Sequence, residues 1–369
     1  MLNFIIPFII LITVVVFVHE YGHYYMAKKY GVGITDFSIG FGKELFGFKD
    51  NLGTRWKFCA IPLGGYVKFF GDRNVFSQAE QEELLKKYTK EDQTKLFVTK
   101  PLYQRSLIVA AGPIANFLLA IIIFTFIYIF SGKDFTPAYI NEVQKDGPAY
   151  SAGIKSGDII ISINDNKISS VLDVSTFINT SAKENIIVRV LRNETELDFQ
   201  LSPKMIESED SLGNKINKKI IGIKVAPPEN QLNKKKLGPA TALFYAIKET
   251  WFVTRSSLEY VVSIFKGKGD TNQLGGPIKI AKITGQVAQL GLIAFLSITA
   301  YISISLGFIN LFPIPMLDGG HLMFYAFEKV LGRPLTQKTQ ESFFRIGLFL
   351  LIFLMLFTTV NDLKDLGLF

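Results

Sequence analysis

Cysteine, histidine and charge are all scarce in this 369-residue sequence. There is one cysteine, Cys59, and there are three histidines. A single thiol cannot form an intrachain disulfide, and it excludes a zinc finger or CxxC redox centre built from several cysteines. Charged residues make up 20% of the chain against 49% hydrophobic residues. A sequence of this composition has too much apolar surface to remain disordered.

Acidic residues are fewer than basic ones, 32 against 40, which gives a net charge of +8. A basic excess is one sign of a nucleic-acid partner. In a chain this apolar, a modest excess is more typical of cytoplasmic loops beside a membrane. We therefore predict a lipid bilayer as a partner and no nucleic acid.

Four segments contain almost no charge. Residues 1–18, 106–132 and 283–317 have none, and residues 343–360 contain only Arg345, near one end. Each approaches or exceeds the ~20 apolar residues that cross ~30 Å of hydrocarbon. The fold class predicted is a polytopic α-helical membrane protein, with four transmembrane helices within residues 1–26, 105–132, 291–321 and 343–369.

Lysine and arginine near the helix ends predict an orientation, because cytoplasmic loops carry an excess of both. Residues 27–104 contain many, including Lys28, Lys29 and Arg55, and the loop 322–342 contains several more. We therefore expect these two regions on the cytoplasmic side. Both termini and the long segment between the second and third helices are expected outside.

The connections between the apolar segments differ in pattern. Residues 27–104 predict a membrane-associated β-hairpin or sheet followed by a charged insertion. Residues 133–205 alternate short β-type runs with Gly and Asp turns, which is typical of a small β-rich domain. Within residues 206–290 we expect a linker and an interfacial amphipathic helix, because aromatic and charged residues alternate over residues 238–266.

His19, Glu20 and His23 form an HExxH motif at the end of the first apolar segment. On a helix, positions i and i+4 share one face, so both imidazoles can bind one Zn²⁺ while the glutamate acts as general base. HExxH also occurs by chance as an exposed polar turn. Ionisable groups at mid-membrane cost about 2.5–3.5 kcal/mol each, which favours a function for all three.

A hydrolytic zinc site needs a third protein ligand and one open position. The candidates are Asp318 and His321, which follow the third apolar segment. The predicted orientation puts them at the membrane depth of the HExxH motif. We prefer Asp318, because a carboxylate balances the metal charge and Gly319-Gly320 lets the chain turn away after it. His321 is the alternative.

Five motifs occur in order along the chain: HEYGHY at 19–24, FSIGFGK at 37–43, IPLGGYVK at 61–68, AGPIANF at 111–117 and NLFPIPMLDGGH at 310–321. Together they resemble the site-2 protease family of intramembrane zinc metalloproteases. The resemblance implies one Zn²⁺ per chain, with His19, His23 and Asp318 as ligands and Glu20 as the catalytic residue. It also implies the inner membrane of a bacterium, with the external segment in the periplasm.

The same resemblance implies that Asn310 and Pro313 help to position substrate. The implied substrates are single-span transmembrane proteins, such as a pre-trimmed anti-sigma factor or a leftover signal peptide. A transmembrane helix pairs all its own backbone groups, so the substrate must unwind before cleavage. Residues 61–70 predict a strand in which Gly64 and Gly65 leave an edge for strand addition by the unwound substrate. An ordinary hairpin edge is the simpler interpretation.

Residues 146–160, DGPAYSAGIKSGDII, resemble a PDZ domain, whose groove takes a peptide or a substrate tail by strand addition. The best-known family members carry two such domains, whereas this sequence has room for one. The function predicted is a metalloendopeptidase that hydrolyses peptide bonds inside transmembrane segments. A non-catalytic PDZ membrane receptor or a zinc transporter is the alternative, and neither needs Glu20.

Overall fold

The computed structural model describes residues 2–72, 87–164, 166–181, 184–209, 215–226, 233–267, 271 and 274–365. The chain divides into two compact units. The first consists of Met1–Ile123 and Gly276–Val360, and the second of Phe124–Gly275 and Asn361–Phe369.

The helices of the described residues are α1 Leu2–Lys29, α2 Lys90–Gln93, α3 Leu102–Phe130, α4 Pro148–Ala152, α5 Val171–Thr180, α6 Pro239–Phe265, α7 Pro277–Gln289, α8 Leu292–Asn310, α9 Asp318–Leu331 and α10 Gln337–Asp365, with a 3₁₀ turn at Phe97–Thr99. The strands are β1 Ile34–Lys49, β2 Arg55–Phe69, β3 Lys133–Asp134, β4 Ala138–Val143, β5 Ile159–Ile163, β6 Asn166–Lys167, β7 Ile186–Arg192, β8 Thr195–Leu201, β9 Lys204–Glu209, β10 Lys215–Ile220, β11 Ile223–Val225 and β12 Lys234–Lys235.

Four of the described helices are long and apolar enough to cross a membrane: Phe4–Lys29, Leu102–Phe130, Leu292–Asn310 and Lys338–Lys364. These positions agree with the four predicted segments. Large apolar side chains on them are exposed, as on α10, where Phe349 is 72% exposed. Such a surface needs hydrocarbon around it, because a soluble monomer rarely exposes a contiguous apolar patch of this extent.

The sheet of the first unit is a bent antiparallel pair, β1 and β2. Asp36 of β1 pairs with both Lys68 and Arg55, so the first half of β1 lies between the two halves of β2. Gly40 and Gly64 lie in the bends, with φ of +88° and +129°, a backbone region that favours glycine. No other strand of the described chain pairs with residues 65–69 on their outer side.

A buried aromatic cluster joins this sheet to α1. Phe37 is fully buried, with its ring centroid 4.3 Å from that of Trp56 and 5.7 Å from that of Tyr24. Aromatic pairs at these separations stabilise a core beyond the area that they bury. The cluster therefore holds β1 and β2 against the helix that carries the HExxH motif.

The chain after the third spanning helix differs from the prediction. Helix α8 ends at Asn310, within the segment predicted at 291–321, and a separate helix, α9, starts at Asp318 and extends into residues 322–342, which were predicted as a loop. Pro313 and Pro315 prevent α8 from continuing. The apolar face of α9 includes the buried side chains of Phe324 and Tyr325.

The second unit contains a sheet of order β11-β4-β5-β7-β8, with β6 paired to β5. Its core includes Ile140, Ile160, Ile186 and Ile221. A β-rich domain was predicted for residues 133–205, but the sheet extends to β11, and residues 206–290 are not a simple linker. The three-residue β11 was missed because it is too short to show an alternating pattern.

Two further predicted segments have different outcomes. The amphipathic helix expected over residues 238–266 corresponds to α6, Pro239–Phe265. The charged insertion predicted in the 27–104 region lies partly at residues 73–86, outside the described residues. Its described remainder contains α2 and the 3₁₀ turn.

Candidate metal centre

His19 and His23 lie one turn apart on the same face of α1, and their Nε2 atoms are 3.2 Å apart. Asp318 Oδ2 is 3.1 Å from Nε2 of His19, and Asp318 Oδ1 is 3.5 Å from Nε2 of His23. These ligand atoms all lie within 4.8 Å of one another, and no other group of this kind occurs in the described part of the chain. The structure thus brings the three predicted ligands together.

The loop between α8 and α9 positions Asp318. Met316 has φ of +88°, and Leu317 is extended, so the chain reverses just before the carboxylate. A Cβ on Gly319 would overlap the carbonyl oxygens of Leu311 and Phe312, and one on Gly320 would lie 2.8 Å from Cα of Pro315. We expected these glycines to let the chain leave the site. They also let the first turn of α9 pack closely against the loop that precedes it, between α8 and α9.

The donor set fits zinc. Two imidazole nitrogens and one carboxylate oxygen form the ligand set of known hydrolytic zinc sites and leave one position open. The buried Oδ2 of Asp318 faces Nε2 of His19, another predicted ligand, and has no hydrogen-bond donor among the other described residues. A buried carboxylate oxygen without a donor is costly unless a cation compensates it.

His321 lies in the same cavity but outside the ligand cluster. Its ring packs on aromatic side chains, with centroid distances of 5.6 Å to Phe344 and 6.4 Å to Phe324. The geometry therefore favours Asp318 over His321 as third ligand.

Glu20 lies where α1 meets the open edge of β2. A Cβ on Gly65 would be 3.0 Å from Cγ of Glu20 and 3.0 Å from Cγ1 of Val16. The same Cβ would overlap the carbonyl oxygen of Ser38, so glycine at position 65 allows β2 to approach Glu20 closely. The close approach brings the predicted general base beside a strand edge that has no partner among the described residues.

A cavity of about 390 Å³ joins these groups, and Glu20, Asp318, Gly64 and Gly65 all line it. Asn310, predicted to position substrate, lines it too. Pro313 is not among the described residues that form its wall. Pro313 lies instead in the loop that carries Asp318.

Asp72 also lines this cavity, although it belongs to none of the motifs selected from the sequence. It follows β2 by three residues, and its Oδ2 accepts the backbone N–H of Phe69 at 3.3 Å. Burial raises the pKa of Asp72 to about 7. Its place shortly after the IPLGGYVK motif, which ends at Lys68, was the signal that could have drawn attention to it.

Comparison with known proteins gives the family. Residues 7–354 match Peptidase family M50. The chain is 40% identical to "Putative zinc metalloprotease Atu1380" of Agrobacterium fabrum over 364 residues, covering 99% of this chain and 96% of that protein. It is 34% identical to "Metalloprotease MmpA" of Caulobacter vibrioides over 386 residues, with the same two coverages.

One solved structure with similarity is the PDZ domain of the SdrC-like protein from Listeria monocytogenes. The TM-score is 0.20 at 18% identity, and the match covers 25% of this chain and 87% of that chain. A similarity this low carries no argument about the second unit. The PDZ assignment therefore continues to rest on the sequence motif.

The family match includes all five sequence motifs and nearly the whole chain. The predictions of a metalloprotease and of zinc as its cofactor are confirmed by this match and by the relatives. A non-catalytic receptor and a zinc transporter are set aside on the same grounds. The chain belongs to Peptidase family M50, the site-2 protease family of zinc metalloproteases.

Proposed function

We propose that this protein hydrolyses peptide bonds within the transmembrane segments of single-span membrane proteins, with His19, His23 and Asp318 as zinc ligands and Glu20 as general base. The observation that carries the proposal is the shared cavity. Glu20 lies there beside the three ligands and against the open edge of β2. A metal centre next to an unpaired strand edge suits cleavage of an extended peptide.

Zinc, when bound to these ligands, polarises the scissile carbonyl and makes water more acidic. Glu20 accepts a proton from the attacking water and delivers it to the leaving nitrogen as the peptide bond breaks. Residues 65–69 of β2 hold the unwound substrate by backbone hydrogen bonds. Asn310, on the cavity wall, contacts the substrate from α8, and Pro313 fixes the loop that leads to Asp318.

The wider setting of this activity follows from the charge pattern. We propose a bacterial inner-membrane protein with both termini outside and the second unit's PDZ-like domain in the periplasm. The domain would bind a peptide or the tail of a substrate. A pre-trimmed anti-sigma factor or a leftover signal peptide has the single apolar span that the site requires.

The test is cleavage of a tagged single-span substrate by the purified protein in lipid vesicles. Glu20→Gln should lower the cleavage rate by about 10²–10⁴-fold, the contribution of general acid–base catalysis, and should leave one bound zinc per chain. A chelator should stop cleavage by the native protein. Cleavage fragments identified by mass spectrometry should end inside the apolar span.

The matched control is Glu142→Gln, which makes the same chemical change at an exposed position on β4. It should cleave at the native rate. Native-level cleavage by Glu20→Gln would remove the proposed role of Glu20. Cuts found only outside the apolar span would overturn intramembrane cleavage while leaving the metal site intact.

A further inference from the structure

The AGPIANF motif at residues 111–117 lies on α3, against the face of α1 that carries the two histidines. A Cβ on Gly22 would be 2.8 Å from the carbonyl carbon of Ala111. A Cβ on Gly112 would overlap Nε2 of His23 and lie 2.9 Å from Cε1 of His19. The two glycines therefore allow α3 to form the back wall of the metal centre.

Each imidazole contacts α3 through its Nδ1 atom. His23 Nδ1 lies 2.9 Å from the carbonyl oxygen of Ile108. A carbonyl only accepts, so His23 Nδ1 carries a proton, and in the neutral imidazole Nε2 then keeps its lone pair for a metal. His19 Nδ1 lies 3.2 Å from the atom placed as Nδ2 in the side-chain amide of Asn116, which is fully buried.

His19, like His23, must carry its proton on Nδ1 if its Nε2 is to bind a metal. Its Nε2 faces Asp318, so a metal bound there needs the proton on Nδ1, and that proton needs an acceptor. Asn116 Oδ1 is buried and has no hydrogen-bond partner in the described part of the chain. The two ends of a side-chain amide, oxygen and nitrogen, are almost identical in size and shape. Which of the two faces a neighbouring atom is therefore assigned from the hydrogen bonds that each would make.

We propose that Asn116 is a positioning residue of the metal centre, and that its Oδ1 accepts the Nδ1–H of His19. This hydrogen bond fixes His19 in the tautomer that offers Nε2 to zinc. The two imidazoles are then held in the same way, one by a main-chain carbonyl and the other by a side-chain amide. The inference rests on the proposed metal site and adds a fourth residue to it.

Helix α8 packs against Asn116 and holds it in place. The hydroxyl of Ser303 donates to the backbone carbonyl of Asn116 at 2.8 Å, and both residues are fully buried. A Cβ on Gly307 would lie 3.2 Å from Cβ of Asn116 and 3.0 Å from the carbonyl oxygen of Pro113. Because α8 and α1 enclose Asn116, its side chain has little freedom to leave His19.

Zinc affinity provides a readout independent of protease activity. The purified full-length protein in detergent would compete for Zn²⁺ with a chromophoric chelator. Asn116→Leu keeps the approximate volume and removes the acceptor, so the zinc dissociation constant should rise about 10–100-fold, as for other residues that orient metal-binding imidazoles. Asn116→Asp keeps an acceptor oxygen and should stay within about 10-fold of native.

Two further variants keep the test decisive. Asn116→Ser, which is too short to reach His19, replaces the leucine variant if that variant does not fold. Thr299→Val is the matched control, because it removes the hydroxyl that donates to Phe295 O within α8, away from the cavity. It should bind zinc as the native protein does.

Native affinity in both Asn116→Leu and Asn116→Ser would overturn the inference. Equal weakening in Asn116→Asp and Asn116→Leu would also overturn it, because loss of the acceptor would no longer be the cause. His23→Ala separates this result from the larger proposal. If the native chain and His23→Ala bind zinc alike, the proposed metal site itself fails.

Discussion

Asp72 shares the cavity of Glu20 and Asp318, yet no cationic side chain among the described residues forms an ion pair with it. Burial is the main cause that raises the pKa of Asp72 to about 7, and the Phe69 N–H and the charge of Lys68 only partly oppose it. An unfolded aspartate has its pKa near 3.9. At a pH between these two pKa values, Asp72 is protonated in the folded protein and ionised in the unfolded chain.

This difference gives stability a pH dependence with a definite sign. The contribution of Asp72 is fully present below about pH 4 and is lost as the pH rises to about 7. The slope is at most about 1.4 kcal/mol per pH unit. Asp72→Asn cannot ionise, so the variant should gain apparent melting temperature relative to the native protein between pH 5 and pH 8.

The measurement is thermal unfolding of the detergent-purified protein across this pH range. Asp146→Asn is the control, because Asp146 is exposed in a loop of the second unit. Its difference from the native protein should not change with pH. A pH-independent difference for Asp72→Asn as well would show that Asp72 keeps an ordinary pKa.

At the scale of single elements, α9 depends on an ion pair with α3. Arg105 Nη1 donates to Glu328 Oε2 at 3.1 Å, and Arg105 Nε donates to the carbonyl oxygen of Lys100 at 3.1 Å. The guanidinium also lies 5.1 Å from the ring centroid of Tyr325. The pair anchors the helix whose first residue is Asp318.

Both side chains of this pair are mostly buried, 15% exposed for Arg105 and 17% for Glu328. Removing one partner leaves a poorly solvated charge, so Arg105→Met should cost about 3 kcal/mol of unfolding free energy. The double variant with Glu328→Met should cost less than the sum of the two single variants. Denaturant unfolding of all four proteins measures this coupling.

The control pair is Arg189 and Asp198, which join the neighbouring strands β7 and β8 at an exposed position. Exposed pairs contribute little because water competes for both charges. The same cycle there should give a much smaller coupling. Strict additivity at Arg105 and Glu328 would mean that the pair does not anchor α9.

Elements with a local pattern could be predicted, and elements that depend on distant contacts could not. The four spanning helices follow from runs without charge, and the pairing of His19 with His23 follows from helical spacing. The start of α9 depends on the loop after Pro313 and on contact with Arg105, about 220 residues away in sequence. No sequence pattern within residues 318–331 indicates the contact between Glu328 and Arg105.

The residues of the metal centre also differ in whether they could be predicted from the sequence. Glu20 and the two histidines belong to one motif, and Asp318 was preferred over His321 for its charge and for the glycine pair that follows it. Asn116 was visible only as part of an unexplained motif, because its role depends on which atom of α1 it faces. Asp72 was missed since it lies at a strand end, where an aspartate is ordinarily a turn residue.

At the scale of the whole molecule, the proposed orientation rests on the distribution of lysine and arginine. The regions 27–104 and 322–342 lie next to helix ends, where these residues determine topology. The long external segment carries basic residues too, but segments of that length cross the membrane regardless of charge. The proposed orientation therefore rests on the short regions alone, and it would put the HExxH end of α1 at the cytoplasmic side.

The single cysteine makes this orientation directly measurable. Cys59 is buried, so the native chain should give little reaction with a membrane-impermeant maleimide. Lys155→Cys, exposed after α4, should be labelled in intact spheroplasts, whereas Lys43→Cys, exposed on β1, should be labelled only after the membrane is opened. Each variant removes one positive charge, so they are matched. Labelling in the reverse order would place the metal centre near the outer face, and its substrates would then be cut from the periplasmic side.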